Sequence, residues 1–380
     1  MKNGIVLTGG GARAAYQAGA MRALYEITRL DKDMFRVITG NSAGAINASF
    51  LANNADDWDS GTSQLWDLWA RLRPQDIFEL GAVSIGKLGT KWLSGTALGG
   101  LTSKSAGGMN HLLDTAPLRK LLTREVDFEL LNRRIFEGQV AGFSVATTNY
   151  YSGSSVVFYQ TAEEVEDWAR SDRFSVRSDL TVEHIMASSA IPMFFPPEKI
   201  GDSWYGDGCV RQTTPLSPAI HLGADRIISI GIRAPHPHER QKQLAFAPNR
   251  NPTIGQIAGV MMNAVFLDSM EGDVERLSRI NQTLYHLDKA KREEYFHALR
   301  PLPILLLRPS QDLGAMTAQL NRELPPMLRY LLKGIGVSGD DGLDLLSYLA
   351  FDKSYTRPLL ELGHQDTMAR ADEVKRFLEL

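Results

Sequence analysis

What most constrains this chain is its first fifty residues, where a short apolar run, a glycine-marked turn and a small-residue helix occur twice in succession. Residues 4–8 have the length and apolarity of a buried strand. Gly9, Gly10 and Gly11 follow, and residues 14–28 then place Ala15, Ala18, Gly19, Ala20, Ala23, Leu24 and Ile27 on one helical face. Residues 35–39 form a second expected strand and residues 43–53 a second helix rich in small side chains. Strand, helix, strand, helix in so little chain implies a parallel βαβ start with a right-handed crossover. The expected fold class is therefore α/β.

Both turns carry chemistry. In Gly9-Gly10-Gly11-Ala12-Arg13 the missing side chains leave backbone N–H groups unshielded, and the helix that follows adds its positive end. Such a loop can hold a phosphate or an oxyanion. Gly40-Asn41-Ser42-Ala43-Gly44 is a G-x-S-x-G pentapeptide between a strand and a helix. A serine on that turn projects its hydroxyl clear of the sheet as a nucleophile, and flanking glycines remove the steric cost.

Two readings fail on the same residues. A dinucleotide site needs a third glycine where Ala14 stands and an acid near the end of the second strand, where this chain delivers Ser42. No Gly-Lys-Ser/Thr ending marks a phosphate-gripping loop either. An ordinary α/β-hydrolase would bring its nucleophile after several strands and add a late histidine. Here Ser42 follows the second strand, and His221, His236, His238, His286, His297 and His364 have no informative surroundings.

A third cluster is Tyr205-Gly206-Asp207-Gly208-Cys209, an acid between two glycines at the end of a short strand, expected to be exposed and conformationally free. Together the three pieces resemble the patatin-like phospholipase family, also called patatin-like acyl hydrolases. Residues 187–192 and 195–197 resemble the family's lead-in to its aspartate, and the likeness covers roughly residues 4–233.

The resemblance implies a three-layer α/β/α fold with a mostly parallel central sheet. It also implies a Ser42–Asp207 dyad, in which Ser42 attacks an ester carbonyl and Asp207 takes its proton. Gly10, Gly11 and Ala12 would supply the oxyanion hole, supported by Gly9, Arg13, Gly40, Gly44 and Gly208. Arg13 is expected either to fix the loop or to meet a lipid phosphate. The implied substrate is a phospholipid or another fatty-acyl ester, cleaved without a cofactor or metal. A regulatory lipid-binding protein and an acyltransferase are the alternatives. Two departures stand out: Ala14 replaces a glycine, and Cys209 replaces a Gly or Ala.

Composition sets the remaining bounds. With 41 Lys+Arg against 44 Asp+Glu, the net charge of −3 argues against a nucleic-acid partner. Cys209 is the only cysteine, which excludes an internal disulfide and a cysteine-clustered metal site. Nothing at the N-terminus reads as an export signal and no run approaches the ~20 apolar residues of a spanning helix. The expectation is a cytoplasmic protein with at most peripheral membrane contact.

Residues 4–233 form the expected catalytic domain. Residues 81–108, with eight glycines, are a candidate lid or insertion. A polar, proline-containing linker over 236–251 leads to a mostly helical region, 252–380, expected to pack on the catalytic domain. Within it Met262, Phe266, Met270, Val274 and Leu277 form a helical stripe, read as a core face with a homodimer face as the alternative. A further strand is expected over 303–307, with helices over 324–332, 343–351 and 369–378.

Overall fold

The computed structural model describes residues 1–30, 33–79, 111–235, 242, 246, 251–288, 299–322 and 342–380. The candidate lid at 81–108, the helix expected over 324–332 and nearly all of the linker lie outside the described residues.

The expected α/β architecture is what the chain adopts. Strand β1 (Asn3–Leu7) is followed by helix α1 (Ala15–Thr28), β2 (Val37–Asn41), α2 (Ala43–Asn53) and α3 (Trp58–Arg71). The sheet continues with β3 (Gly142–Asn149), β4 (Ser155–Gln160), β5 (Ala169–Arg170) and β6 (Arg173–Arg177). It is completed by β7 (Glu198–Ile200), β8 (Ser203–Asp207), β9 (Arg226–Ile230) and β10 (Ile304–Leu307). The strand order is β10-β9-β1-β2-β3-β4-β6-β5, with β8 on β3 and β7 on β8. The run from β10 to β3 is parallel throughout; β4 and β8 pair antiparallel with β3.

Alternation along the strands divides the interior in two. Ile5, Leu7, Ile38, Ile228 and Ile230 enter a large core shared with α1, α2 and α3. Val6, Val37 and Ile227 enter a smaller one, with Leu216, Ala219 and Leu277. A sheet buried on both faces between helices is the three-layer arrangement.

Three expectations are corrected in detail. The second strand begins at Val37 and runs through Gly40 and Asn41, so Ser42 follows it without an intervening loop. Phe35 is instead a buried core residue, and the Arg36 N–H bonds the Asn3 carbonyl. The Met262–Leu277 stripe is spent inside the molecule but on two helices, Ile254–Phe266 and Asp268–His286. Met262 and Phe266 belong to the large core, Met270 and Leu277 to the small one, so the break at Leu267 lets one stripe serve both. The third correction is an addition. The Lys353–Met368 helix, with Pro358 inside it, lies against α1 so tightly that a Cβ at Gly19 would stand 1.9 Å from the Leu360 carbonyl oxygen. No described helix is long and apolar enough to cross a membrane.

Candidate active site

Sheet register alone brings the three sequence motifs to one edge. Leu7, the last residue of β1, pairs with Gly40 of β2 and with Ile230 of β9, so the glycine loop and the serine turn leave neighbouring strands at the same level. Asn41 pairs with Ala146 of β3, and the next residue of β3, Thr147, pairs with Asp207 at the end of β8. The crevice beyond the carboxyl ends of parallel strands is where α/β sheets place their sites.

Ser42 sits at φ 54°, ψ −131°, a conformation that side-chain-bearing residues rarely adopt and that costs ~1–3 kcal/mol. The neighbours hold it there. Its N–H donates to Ser188 Oγ at 3.0 Å, and Ser189 Oγ donates to its carbonyl at 3.1 Å. A Cβ at Gly44 would stand 2.2 Å from the Leu7 carbonyl oxygen, so the small residue is what lets α2 start against β1.

The Ser42 hydroxyl donates to Asp207 Oδ2 at 2.5 Å. Asp207 Oδ1 accepts the Cys209 N–H at 2.9 Å, the Asp207 carbonyl accepts Thr148 Oγ at 2.7 Å, and its N–H donates to the Ala190 carbonyl at 3.0 Å. The expectation of an exposed, free acid is wrong: Asp207 is 0% exposed. Its glycine neighbours are places of close approach. A Cβ at Gly206 would meet the Tyr150 hydroxyl and one at Gly208 the Ala146 carbonyl, each at 2.1 Å. Burial pushes the Asp207 carboxyl up to about 7, against the lowering pull of its bonds from Ser42 and Cys209. Desolvation also raises the Cys209 thiol well above its usual range, with the nearby Asp207 charge adding to it.

The glycine loop lies directly over this pair. A Cβ at Gly9 would stand 2.4 Å from Cys209 Sγ and 2.6 Å from Ser42 Cβ. Gly11 and Ala12 open a short 3-10 turn, Gly11–Ala14, where a helix's own ladder gives the leading N–H groups no acceptor. Arg13 points the other way. It is 2% exposed, donates through Nε to Ser347 Oγ at 2.7 Å and through Nη2 to Asp344 Oδ1 at 2.8 Å, and lies 4.5 Å from the centre of the Tyr348 ring. It is thus committed to the C-terminal region, and the expectation that it meets a lipid phosphate is corrected.

Two supporting residues escaped the motif reading. Asn47 of α2 donates to the Ala14 carbonyl and to Gln17 Oε1, both at 3.1 Å, and accepts Trp69 Nε1 at 2.8 Å. Gln17 of α1 donates to the carbonyls of Thr8 (2.8 Å) and Ile230 (3.1 Å). Through them β9, α1, α2, α3 and Thr8, which follows β1, share one buried network under the glycine loop. Buried amides on expected helical faces that carry no other role are the signal that could have found them.

Beside Ser42 and Gly11 lies a narrow apolar cleft walled by Ile46, Ile77, Leu118, Ile191, Phe195 and Phe351. Among the described residues no group of three His, Cys, Asp or Glu side chains could hold a metal ion. His184 lies against Phe158, His221 stacks on Trp168, and His364 bonds Glu26.

The fold and the site together define an α/β protein with a serine hydroxyl at a strained turn, bonded to an enclosed carboxyl beside an apolar cleft. The model of the patatin-like phospholipase family matches residues 5–220, and the chain belongs to that family, one of lipid acyl hydrolases. Among solved structures it is similar to VipD from Legionella pneumophila, at 13% identity and a TM-score of 0.37, over 98% of this chain and 67% of that one. It is also similar to ExoU, solved in complex with SpcU from the type III secretion system of Pseudomonas aeruginosa. There the identity is 16% and the TM-score 0.30, over 97% of this chain and 77% of that one. No curated protein sequence matches the chain.

Proposed function

We propose that this chain is a phospholipase A- or lysophospholipase-type acyl hydrolase working through an acyl-Ser42 intermediate. The observation that carries the reading is the 2.5 Å bond from the Ser42 hydroxyl to a wholly enclosed Asp207, facing an apolar cleft. Ser42 Oγ attacks the ester carbonyl carbon while its proton passes to Asp207 Oδ2. The negative charge on the carbonyl oxygen is met by N–H groups of Gly10, Gly11 and Ala12; each such donor is worth ~10²–10³ in rate. The carbon–oxygen bond to the alcohol breaks, and the alcohol leaves with the proton from Asp207. Water then gives a proton to the same carboxylate and attacks the acyl-serine, releasing the fatty acid and restoring the Ser42 hydroxyl. The substrate is met at a lipid surface by peripheral contact.

The test is fluorophosphonate labelling and hydrolysis of p-nitrophenyl butyrate and of phospholipid vesicles by wild type, Ser42→Ala and Asp207→Asn. Wild type is expected to be labelled at Ser42 and to release fatty acid, Ser42→Ala to do neither, and Asp207→Asn to react far more slowly. Undiminished hydrolysis by Ser42→Ala would overturn the reading.

A further inference from the structure

The stretch matched by the family model ends at residue 220, yet part of the wall beside Ser42 comes from beyond it. The Leu343–Leu349 helix lies across the glycine loop. A Cβ on Gly11 would stand 2.1 Å from the Tyr348 carbonyl oxygen, so loop and helix meet backbone to backbone. Arg13 then latches them side chain to side chain, through Ser347 Oγ, Asp344 Oδ1 and the face of Tyr348. The Ser347 hydroxyl donates its own hydrogen bond to the Asp344 carbonyl at 2.5 Å, which fixes the acceptor that Arg13 uses.

Directly after this latched helix the chain makes two tight steps. The Phe351 N–H bonds the Leu349 carbonyl at 2.9 Å and the Asp352 N–H the Ala350 carbonyl at 2.8 Å. Asp352 then caps the following helix by accepting the Ser354 N–H at 2.9 Å. Phe351 is therefore pinned from both sides, and its ring enters the cleft wall. There it stacks on Trp69 at a centroid distance of 6.3 Å and meets Phe78 edge-on at 6.4 Å. Trp69 is in turn held by Asn47.

We infer that Phe351 is a specificity-determining residue, whose ring limits the length of acyl chain the cleft accepts, and that the Arg13–Asp344–Ser347 latch holds the ring in position. The inference rests on the reading of Ser42 as the acyl-accepting nucleophile. It follows from the narrow apolar cleft beside Ser42 and from Phe351 being part of its wall. The other large ring of the wall, Phe195, lies inside the stretch that the family model matches, and Ile46 is built into α2 beside the nucleophile. Phe351 lies between two helices, in a turn, so its side chain can be changed without breaking a helical ladder. The cleft is also narrow, so removing one ring from its wall enlarges it.

The experiment compares kcat/KM for p-nitrophenyl butyrate, octanoate and palmitate in wild type, Phe351→Leu and Phe351→Ala. Each methylene newly buried in an apolar site is worth about fourfold. Room for two or three more should therefore raise the octanoate-to-butyrate ratio about 15- to 60-fold in Phe351→Ala, with Phe351→Leu in between. Asp344→Asn combined with Ser347→Ala should move the ratio the same way by a smaller factor, because it frees the segment without removing the ring. A ring that merely supports the core would lower all three esters alike, and parallel profiles overturn the inference. A shift in Phe351→Ala with none in the latch variant overturns the role given to the latch.

A second readout does not depend on turnover. Binding of butyrate, octanoate and palmitate to Ser42→Ala and to Ser42→Ala/Phe351→Ala is measured by calorimetry. Tighter octanoate binding without the ring supports the inference and equal binding overturns it. If wild type hydrolyses none of the esters and takes no fluorophosphonate label, it is the reading of Ser42 that fails, and the binding comparison still decides on Phe351.

Discussion

Enclosure sets what Asp207 can do. In water a carboxyl of this kind titrates near 4, but here desolvation pushes it up to about 7. As the proton acceptor it must be ionised, so hydrolysis should rise with pH through a single inflection near 7. A flat profile from about pH 5 to about pH 8 would show that another group takes the proton. The same shift has a cost in stability, and its sign is fixed by linkage. Because the folded-state value lies above the unfolded one, stability present below about pH 4 is lost as pH rises through about 7. Asparagine at 207 never ionises, so Asp207→Asn should be at least as stable as wild type at about pH 8 while kcat falls ~10²–10⁴-fold. Urea unfolding at about pH 5 and about pH 8 checks it; a variant less stable than wild type at about pH 8 would sink the argument. Ser42 and Asp207 were both legible in the sequence because each sits in a short, glycine-flanked motif. The enclosure of Asp207 was not. Glycines on either side of an acid read equally well as a free turn or as close packing, and only the Tyr150 hydroxyl and the Ala146 carbonyl decide between them.

Between elements, the glycine loop and the serine turn are held at one height by Gln17 and Asn47, which are wholly buried and tie α1, α2, α3 and β9 to Thr8 and Ala14 at the two ends of the glycine loop. Replacing Asn47 with leucine keeps the bulk and removes the bonds. It leaves the Trp69 N–H, the Ala14 carbonyl and the Gln17 amide short of partners, at ~1–3 kcal/mol for each group left unsatisfied. Asn47→Leu should therefore lose ~3 kcal/mol or more in urea unfolding. It should also take a fluorophosphonate label at Ser42 more slowly than wild type, because the loop over the serine loses its support. Wild-type stability together with wild-type labelling would show that the network is incidental. Periodicity gave β1 and α2 to within two residues, since the one is a short apolar run before a glycine cluster and the other a small-residue helix. It did not give the Lys353–Met368 helix, because Pro358 interrupts the pattern where the chain nevertheless stays helical. The Trp58–Arg71 helix was signalled by Asp57, whose side chain accepts the Ser60 N–H, and by Leu65, Leu68 and Trp69 on one face. Those cues point to a core helix and not to chemistry, so a reading led by motifs passed them by.

Across the whole molecule, the chain beyond residue 233 is woven into the part that carries the motifs. Strand β10 pairs in parallel with β9. The Lys353–Met368 helix meets α1 through Gly19 and Gly363, where added side chains would collide with the Leu360 and Tyr16 backbones at 1.9 and 2.0 Å. Arg226 of β9 donates to the Phe377 carbonyl at 2.6 Å, and Arg13 leaves the glycine loop for Ser347 and Asp344. Cutting the chain after residue 235 would leave β9 as an open edge, strip the outer face of α1 and strand the buried Arg13 guanidinium without its acceptors. An open apolar edge invites pairing with other chains, and an uncovered apolar face of α1 adds a second sticky surface. A fragment of residues 1–235 should therefore be recovered as aggregate and take no fluorophosphonate label at Ser42. Adding residues 251–380 as a separate polypeptide during refolding should restore both solubility and labelling, because the missing strand, helix and latch partners then return. A soluble, monodisperse 1–235 fragment that labels at the wild-type rate would show that the glycine loop needs nothing from the C-terminal region, and would remove the latch together with the interwoven reading of the fold.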